Sequence, residues 1–219
     1  MRYFDLFDDM SVKGRWHLSE VTAAGEEVNW PLTDGRPYQG MTRVAVEVQY
    51  PGPPLDFTLT AFGVPVASKK LAAAVRAVAK GDVEGVPARI EGHSGFEVLN
   101  VVRTVDCLDE QRSRFTIWTD KDQPEKVGHY ESVPRLRVDP KRISGDAHLF
   151  RLARWEVALV VSERLKEAME RAGCRGARFD LVSEDAPASA AGEAGPTDRV
   201  YQALFEAVAE ETGPSNRIP

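Results

Sequence analysis

Residues 43–54 have the sequence RVAVEVQYPGPP. An apolar side chain recurs at every second position from Val44 to Tyr50, with polar or small residues between. This period of two is typical of a β-strand that buries one face. The run 51–54, which holds three prolines and a glycine, ends the strand. The stretch therefore predicts a half-buried strand closed by a sharp turn.

Further strands are predicted on both sides of this one, in segments rich in Val, Ile, Leu and Phe. They cover residues 2–7, 86–90, 96–105, 114–118, 136–138 and 178–182. A hairpin turn is predicted at residues 92–95, which contain two glycines.

Two helices are predicted in the same region. Ser68 is a candidate N-cap for the first, which runs toward Gly81, and Ser162 is a candidate N-cap for the second, which ends at Gly173. Strands and helices do not alternate regularly. We therefore expect an α+β fold with mostly antiparallel sheets, rather than a doubly wound α/β fold.

The composition changes after Val182. Residues 183–197 are rich in Ala, Gly, Ser, Pro and acids, which predicts a flexible linker. Residues 198–219 predict a C-terminal amphipathic helix and tail, because Tyr201, Leu204, Phe205 and Val208 share one helical face. Such a face is expected to dock on the same chain or on another one. The predicted organisation is a main domain over residues 1–182, the linker and this helix.

Charge and cysteine content exclude several classes of protein. The net charge is −6, and residues 183–219 carry −5 of it, with seven acids and two bases. A nucleic-acid partner is not expected, since such affinity comes from clustered Lys and Arg. Two cysteines are too few for a disulfide-stapled secreted scaffold.

The first nine residues contain three acids and lead into no apolar segment, so no secretory signal is predicted. No stretch approaches the ~20 apolar residues of a membrane-spanning helix. We expect a cytoplasmic protein without a membrane partner.

Motifs of catalysis are missing from the sequence. It has no phosphate-binding glycine loop and no nucleophile elbow, and its four histidines lack metal-ligand spacing. We predict no catalytic residue, no metal site and no cofactor. Cys107 has acids at 106, 109 and 110, which predict an unreactive thiol.

The clusters of charged residues are also predicted to be ordinary solvated surface. Asp8, Asp9, Glu26 and Glu27 are predicted to be solvated acids rather than acid–base pairs. A mild basic cluster is diluted by acids and is predicted to form a solvated face. Its members are Arg135, Arg137, Lys141, Arg142, Arg151 and Arg154.

Four aromatic residues lie in polar contexts typical of loops, namely Trp16, Trp30, Tyr38 and Tyr130. Aromatic side chains are enriched in binding hot spots, but they also anchor irregular segments on a sheet. The sequence favours anchors and leaves both interpretations open.

Short motifs over residues 1–182 occur in an order that resembles an immunity-protein family of bacterial polymorphic-toxin and type VI secretion systems, abundant in predatory gliding bacteria. The motifs are GRWHL at 14–18, PLDF at 54–57, PV at 65–66, VLN at 98–100, DCLD at 106–109, Trp118, PEKVGHY at 124–130, LRVDP at 136–140, FR at 150–151, VVS at 160–162 and GARF at 176–179.

This resemblance implies a non-enzymatic protein that binds and neutralises a cognate toxin, encoded nearby, in the cytoplasm. The candidate toxin contacts are the four aromatic residues named above together with Glu206 and Glu210 of the C-terminal segment. One alternative is a hydrolase-like enzyme with a dispersed site that uses His129, Glu131 or Asp139. Another is a scaffold that self-assembles into a homo-oligomer through the C-terminal helix.

Overall fold

The computed structural model describes residues 1–40, 42–120 and 124–184. Its α-helices are α1 (Lys69–Val78) and α2 (Glu163–Arg171). Its strands are β1 (Tyr3–Asp8), β2 (His17–Ala23), β3 (Glu26–Glu27), β4 (Val44–Tyr50), β5 (Phe57–Leu59), β6 (Pro65–Ser68), β7 (Val83–Ile90), β8 (His93–Val101), β9 (Thr104–Val105), β10 (Arg114–Ile117), β11 (Tyr130–Arg135), β12 (Leu149–Leu152), β13 (Trp155–Ser162) and β14 (Ala177–Leu181).

The strands form two large sheets and a ribbon. One sheet has seven strands in the order β3-β2-β4-β7-β8-β6-β5, and the other has five in the order β14-β1-β13-β12-β9. Strands β10 and β11 form the separate ribbon. Most neighbours are antiparallel, while β4–β7 and β9–β12 run parallel. The α+β prediction is confirmed for these residues, and the predicted C-terminal helix lies outside them.

Strand β4 has the predicted bounds and lies inside the seven-stranded sheet. Its alternating residues Val44 and Val46 are buried in an apolar cluster with Val98 of β8. The next residue along β8, Leu99, points to the opposite face and joins a second cluster with Val101. This second cluster fills the space between the two sheets and the helices.

Both predicted helix caps are present. The Ser68 hydroxyl accepts a hydrogen bond from the Leu71 amide at 3.3 Å, and the Ser162 hydroxyl accepts one from the Leu165 amide at 3.2 Å. Helix α1 ends at Val78, with Ala79 as its C-cap, so it does not extend to Gly81 as predicted.

The inner faces of both helices are apolar. Leu71 and Val75 of α1 and Leu165 and Met169 of α2 pack around Phe57, and all five are at most 1% exposed. Most helix stability comes from the packing of such a face.

The strand predicted at 96–105 is two strands. The chain leaves the seven-stranded sheet after Val101, and Thr104–Val105 then pairs with β12 in the other sheet. The turn before β8 is also shorter than predicted, because Ile90 pairs with His93 and leaves Glu91 and Gly92 as the turn.

The strand predicted at 136–138 is wrong. These residues follow the end of β11 and form a single antiparallel bridge between Val138 and Leu108. Their backbone bonds to other irregular segments, since the Val138 amide donates to the Val182 carbonyl at 3.0 Å.

Neither helix of the described residues has the length and hydrophobicity that crossing a bilayer requires.

Candidate functional site

Trp30 is the most exposed large hydrophobic side chain of the described residues, at 68% of its full surface. It begins a short 3-10 helix, Trp30–Leu32, which follows the edge strand β3. Single exposed apolar side chains are common on protein surfaces. Exposure alone therefore does not distinguish Trp30 as a binding residue, whereas a rigidly held backbone beneath its side chain would.

Buried residues hold the segment on the N-terminal side of Trp30. Asn29 is fully buried, and its Oδ1 accepts a hydrogen bond from the Val21 amide at 2.8 Å. The Asn29 amide donates to Glu27 Oε1 at 3.1 Å. The backbone that carries the exposed Trp30 side chain is therefore fixed against β2.

The C-terminal side is held by both large sheets. Leu32 is fully buried, and its carbonyl accepts a hydrogen bond from Arg151 Nη2 of β12 at 3.4 Å. The Arg36 carbonyl accepts one from Asn100 Nδ2 of β8 at 2.9 Å.

Between these two points Gly35 has φ +76°, and a Cβ there would overlap the Thr104 hydroxyl. Glycine is the residue that adopts this conformation without strain.

Acidic residues flank Trp30 in the sequence. Residues 16–35 contain Glu20, Glu26, Glu27 and Asp34 and neither Lys nor Arg. Glu26, Glu27 and Asp34 are exposed in the structure, so Glu26 and Glu27 are solvated acids as predicted.

Tyr38 lies at the end of the same segment and is half-buried against the apolar cluster around Val98. Its amide donates to Glu84 Oε2 at 3.1 Å, and that oxygen also accepts from Asn100 Nδ2 at 3.1 Å. Tyr38 is thus a loop anchor with a partly accessible ring.

Trp16 lies in the irregular segment just before β2 and is a loop anchor, the interpretation that the sequence favoured. Its side chain is fully buried, and its Nε1 donates to Thr58 Oγ1 at 2.8 Å. The indole packs against Phe96 and His93, with ring centroids 5.0 and 5.1 Å away. Burial removes Trp16 from the surface that this conformation offers to a partner and makes it an anchor.

Tyr130 is also buried, at 3% exposure, which removes its ring from the surface. Its hydroxyl donates to Glu110 Oε1 at 2.7 Å, and the Arg154 guanidinium lies 4.7 Å from the ring centroid. Burial and the hydrogen bond to Glu110 raise the pKa of Tyr130 to about 12. Tyr130 anchors the β10–β11 ribbon. Glu206 and Glu210 lie outside the described residues.

Asp8 is not a solvated acid, contrary to the prediction. Its side chain is 13% exposed, and its Oδ2 pairs with Arg15 Nη2 at 2.9 Å. Its Oδ1 accepts a hydrogen bond from the Leu59 amide at 2.7 Å. Asp8 therefore ties β1 to β5 and to the segment that leads into Trp16.

The basic cluster is not one solvated face either, because Arg151 is fully buried. Its Nη1 donates to the Glu156 carbonyl at 2.6 Å, in addition to the contact with Leu32. Arg142 and Arg154 lie nearer the surface and both pair with Asp106. The cluster is divided between the core and surface ion pairs.

The residues proposed for a dispersed hydrolytic site do not come together. His129 and Glu131 are exposed near the β10–β11 ribbon. Asp139 caps a separate 3-10 helix, where its Oδ1 accepts a hydrogen bond from the Lys141 amide at 3.0 Å. These three residues, all described, form no hydrogen bond with one another.

One histidine–serine contact was not predicted from the sequence. His148 Nδ1 and Ser162 Oγ lie 2.9 Å apart, and both residues are buried. The same hydroxyl caps α2, and Asp82 Oδ2 accepts a hydrogen bond from the His148 backbone amide at 2.8 Å. The contacts among Asp82, His148 and Ser162 connect β12, β13 and α2, and their polar atoms form hydrogen bonds within the fold.

Cys107 is fully buried, and burial raises the pKa of its thiol to about 12. This agrees with the prediction of an unreactive thiol. Across residues 1–40, 42–120 and 124–184, no group of three or more His, Cys, Asp or Glu side chains is placed to hold a metal ion.

Asp56 and Gly176, which belong to the sequence motifs, have roles in holding the fold together. Asp56 accepts hydrogen bonds from the Ser68 hydroxyl at 2.9 Å and from the Arg175 amide at 3.2 Å. A Cβ at Gly176 would overlap the Phe57 carbonyl. These motif residues therefore join the region before α1 to the start of β14.

Residues 1–184 match the model of the immunity protein family (Imm11). The chain belongs to this family. No curated protein matches it. The resemblance seen in the sequence is confirmed, and membership of Imm11 suggests a non-enzymatic, toxin-neutralising role with a cognate toxin as partner.

Proposed function

We propose that this Imm11 protein binds a cognate toxin or effector protein in the bacterial cytoplasm and neutralises it without catalysis. The family match over residues 1–184 carries the proposal. We further propose that the toxin is encoded by a neighbouring gene of a polymorphic-toxin system and is delivered by type VI secretion.

Physical occlusion is sufficient for this function. A standard interface of about 1,600 Å², with a few aromatic or charged anchors, gives tight binding without any chemistry. Blocking then requires a rigid surface, and the polar atoms of buried Asp82, His148 and Ser162 are used to build the fold.

A titration separates blocking from catalysis. The purified toxin, assayed at a concentration well above the Kd of the complex, should lose activity linearly and reach zero near one equivalent of this protein. The toxin should keep its intact mass. Complete inactivation by a small fraction of an equivalent, or a changed toxin mass, would establish the hydrolase-like alternative.

Co-expression tests the role in cells. Cells that express the toxin should survive when this chain is also expressed, and a tagged copy should retain the toxin in a pull-down. Toxicity without rescue, together with no complex, would overturn the proposed function.

The segment after Val182 is proposed as an addition to the main domain, with a linker at 183–197 and an amphipathic helix beyond it. Glu206 and Glu210 are proposed toxin contacts there, and the helix is a proposed site of homo-oligomerisation. Solution mass measured with and without residues 183–219 tests self-assembly, since only the full chain should form the larger species.

A further inference from the structure

The segment 26–38, here called the Trp30 platform, combines exposure with rigidity. Trp30 is 68% exposed, whereas Asn29 and Leu32 on either side of it are fully buried. Hydrogen bonds fix the platform at Val21 before Trp30 and at Asn100 after it. A side chain on a backbone that is already ordered loses less conformational entropy on binding.

The anchors of the platform come from both sheets. Asn100 belongs to the seven-stranded sheet, and Arg151, whose Nη2 donates to the Leu32 carbonyl at 3.4 Å, belongs to the five-stranded sheet. The exposed indole is therefore carried by the rigid body of the protein, which is where precise binding sites are built.

Electrostatics restrict the kind of partner. The platform holds three exposed acids, Glu26, Glu27 and Asp34, against one exposed base, Arg36, so it remains acidic on balance. An acidic rim favours encounter with a positively charged surface and disfavours nucleic acid. Arg side chains also stack on an indole face through cation–π attraction.

A second copy of this chain fits less well. A two-fold contact would place the same patch of both copies face to face. The exposed acids Glu26, Glu27 and Asp34 would then oppose their own equivalents, which costs free energy.

We propose that the Trp30 platform is the docking surface for a basic, Lys/Arg-rich face of the toxin, with Trp30 as the central anchor and Glu26 and Asp34 as the acidic rim. This inference rests on the proposed function and names the surface that performs it. Aromatic anchors of this kind carry a large share of interface affinity.

Binding of the toxin encoded beside this gene, inactivated by one active-site substitution, tests the anchor. Trp30→Ala should weaken the Kd about 30-fold or more, the loss typical of a hot spot. Tyr50→Ala is the matched control, since Tyr50 is 60% exposed and lies at the His17 end of the β2–β4 ladder. Its Kd should change less than about twofold.

Charge reversal tests the rim. Glu26→Lys with Asp34→Lys should slow association about tenfold and reduce its dependence on salt. Glu27 is kept, because it accepts the Asn29 amide and supports the platform. The control pair Glu125→Lys with Glu131→Lys changes net charge equally at exposed sites elsewhere and should leave association unchanged.

The outcomes separate the two proposals. If the wild-type chain neutralises the toxin and Trp30→Ala binds it equally well, the docking surface is wrong and the proposed function stands. If the wild-type chain neither binds nor neutralises, the proposed function fails and the surface fails with it. A loss of self-association in Trp30→Ala would assign the platform to a contact between copies and overturn the inference.

Discussion

Asp5 and Asp180 lie directly opposite each other in the antiparallel ladder between β1 and β14. Directly opposed residues share one face of a sheet, and like charges there are destabilising. Asp5 is only 6% exposed. Burial, and secondarily the charge of Asp180, raise the pKa of Asp5 from 3.8 to about 7. The fold therefore contains a carboxyl group that resists ionisation up to neutral pH.

Asp5→Asn should stabilise the protein above neutral pH. The folded pKa of Asp5 exceeds its unfolded value, so the folded chain binds more protons, and stability contributed by the protonated form is lost as pH rises from about 4 to about 7. An amide cannot ionise, and the variant should exceed wild type by roughly 2–4 kcal/mol near pH 8.

Urea unfolding across this pH range measures the effect of Asp5→Asn. The gain over wild type should shrink toward pH 4. Asp180→Asn removes the opposing charge and weakens the surface pair with Arg178 Nε at 3.4 Å, so it should give a smaller gain in the same direction. An Asp5→Asn variant whose stability follows the pH slope of wild type would contradict the assignment.

The tryptophans Trp16 and Trp30 should differ sharply in their contribution to stability. Trp16→Ala empties a buried site and leaves the Thr58 hydroxyl without its partner, so it should cost about 3–5 kcal/mol. Trp30→Ala removes an exposed side chain and should change the free energy of unfolding by less than about 0.5 kcal/mol. Guanidinium unfolding of both variants checks this, and equal losses would argue against the burial described.

The two serine N-caps also offer a matched comparison. Ser68→Ala should cost about 1–2 kcal/mol, because it removes the cap and the hydrogen bond from the Ser68 hydroxyl to partly exposed Asp56. Ser162→Ala should cost about 1–3 kcal/mol more than the loss of a cap alone, because it also leaves buried His148 Nδ1 without its partner. Thermal and urea unfolding give both values. A loss at Ser162 no larger than about 1 kcal/mol, the usual loss for a cap alone, would show that the contact with His148 contributes nothing.

Thiol labelling should report burial directly. Burial raises the pKa of Cys107 and of Cys174 to about 12, and the chain has no other cysteine. The folded protein should react slowly with a disulfide reagent near pH 8, and unfolding should release two rapidly reacting thiols. Fast labelling of Cys107 in the folded state would contradict its position.

Local patterns were sufficient for some elements. The alternation in β4 and the serines before α1 and α2 act within a few residues of the structure they specify, and each was predicted. Strand β13 shows no alternation of apolar and polar residues, because residues 158–162 are all buried. A short, continuous apolar run does not distinguish a fully buried strand from part of a helix.

The candidate site was less predictable, because its residues are held by partners that are distant in the sequence. Trp16 has polar neighbours in the sequence, but Arg15 is itself buried by its ion pair with Asp8, and the indole bonds to Thr58, 42 positions away. The rigidity under Trp30 comes from Asn100 and Arg151, which are more distant still. Contacts of this range leave no periodic trace in one sequence.

Strand β1 lies between β13 and β14, with Phe4 opposite both Val161 and Leu181. Its position has a consequence for the order of events during translation. At about 5–20 residues per second, the ribosome needs roughly 9 s or more to travel from Phe4 to Leu181. Until then, β1 lacks a neighbour and its apolar face lacks full cover. Protection against an incoming toxin would then come from molecules completed beforehand, because a chain still being synthesised has not closed this sheet.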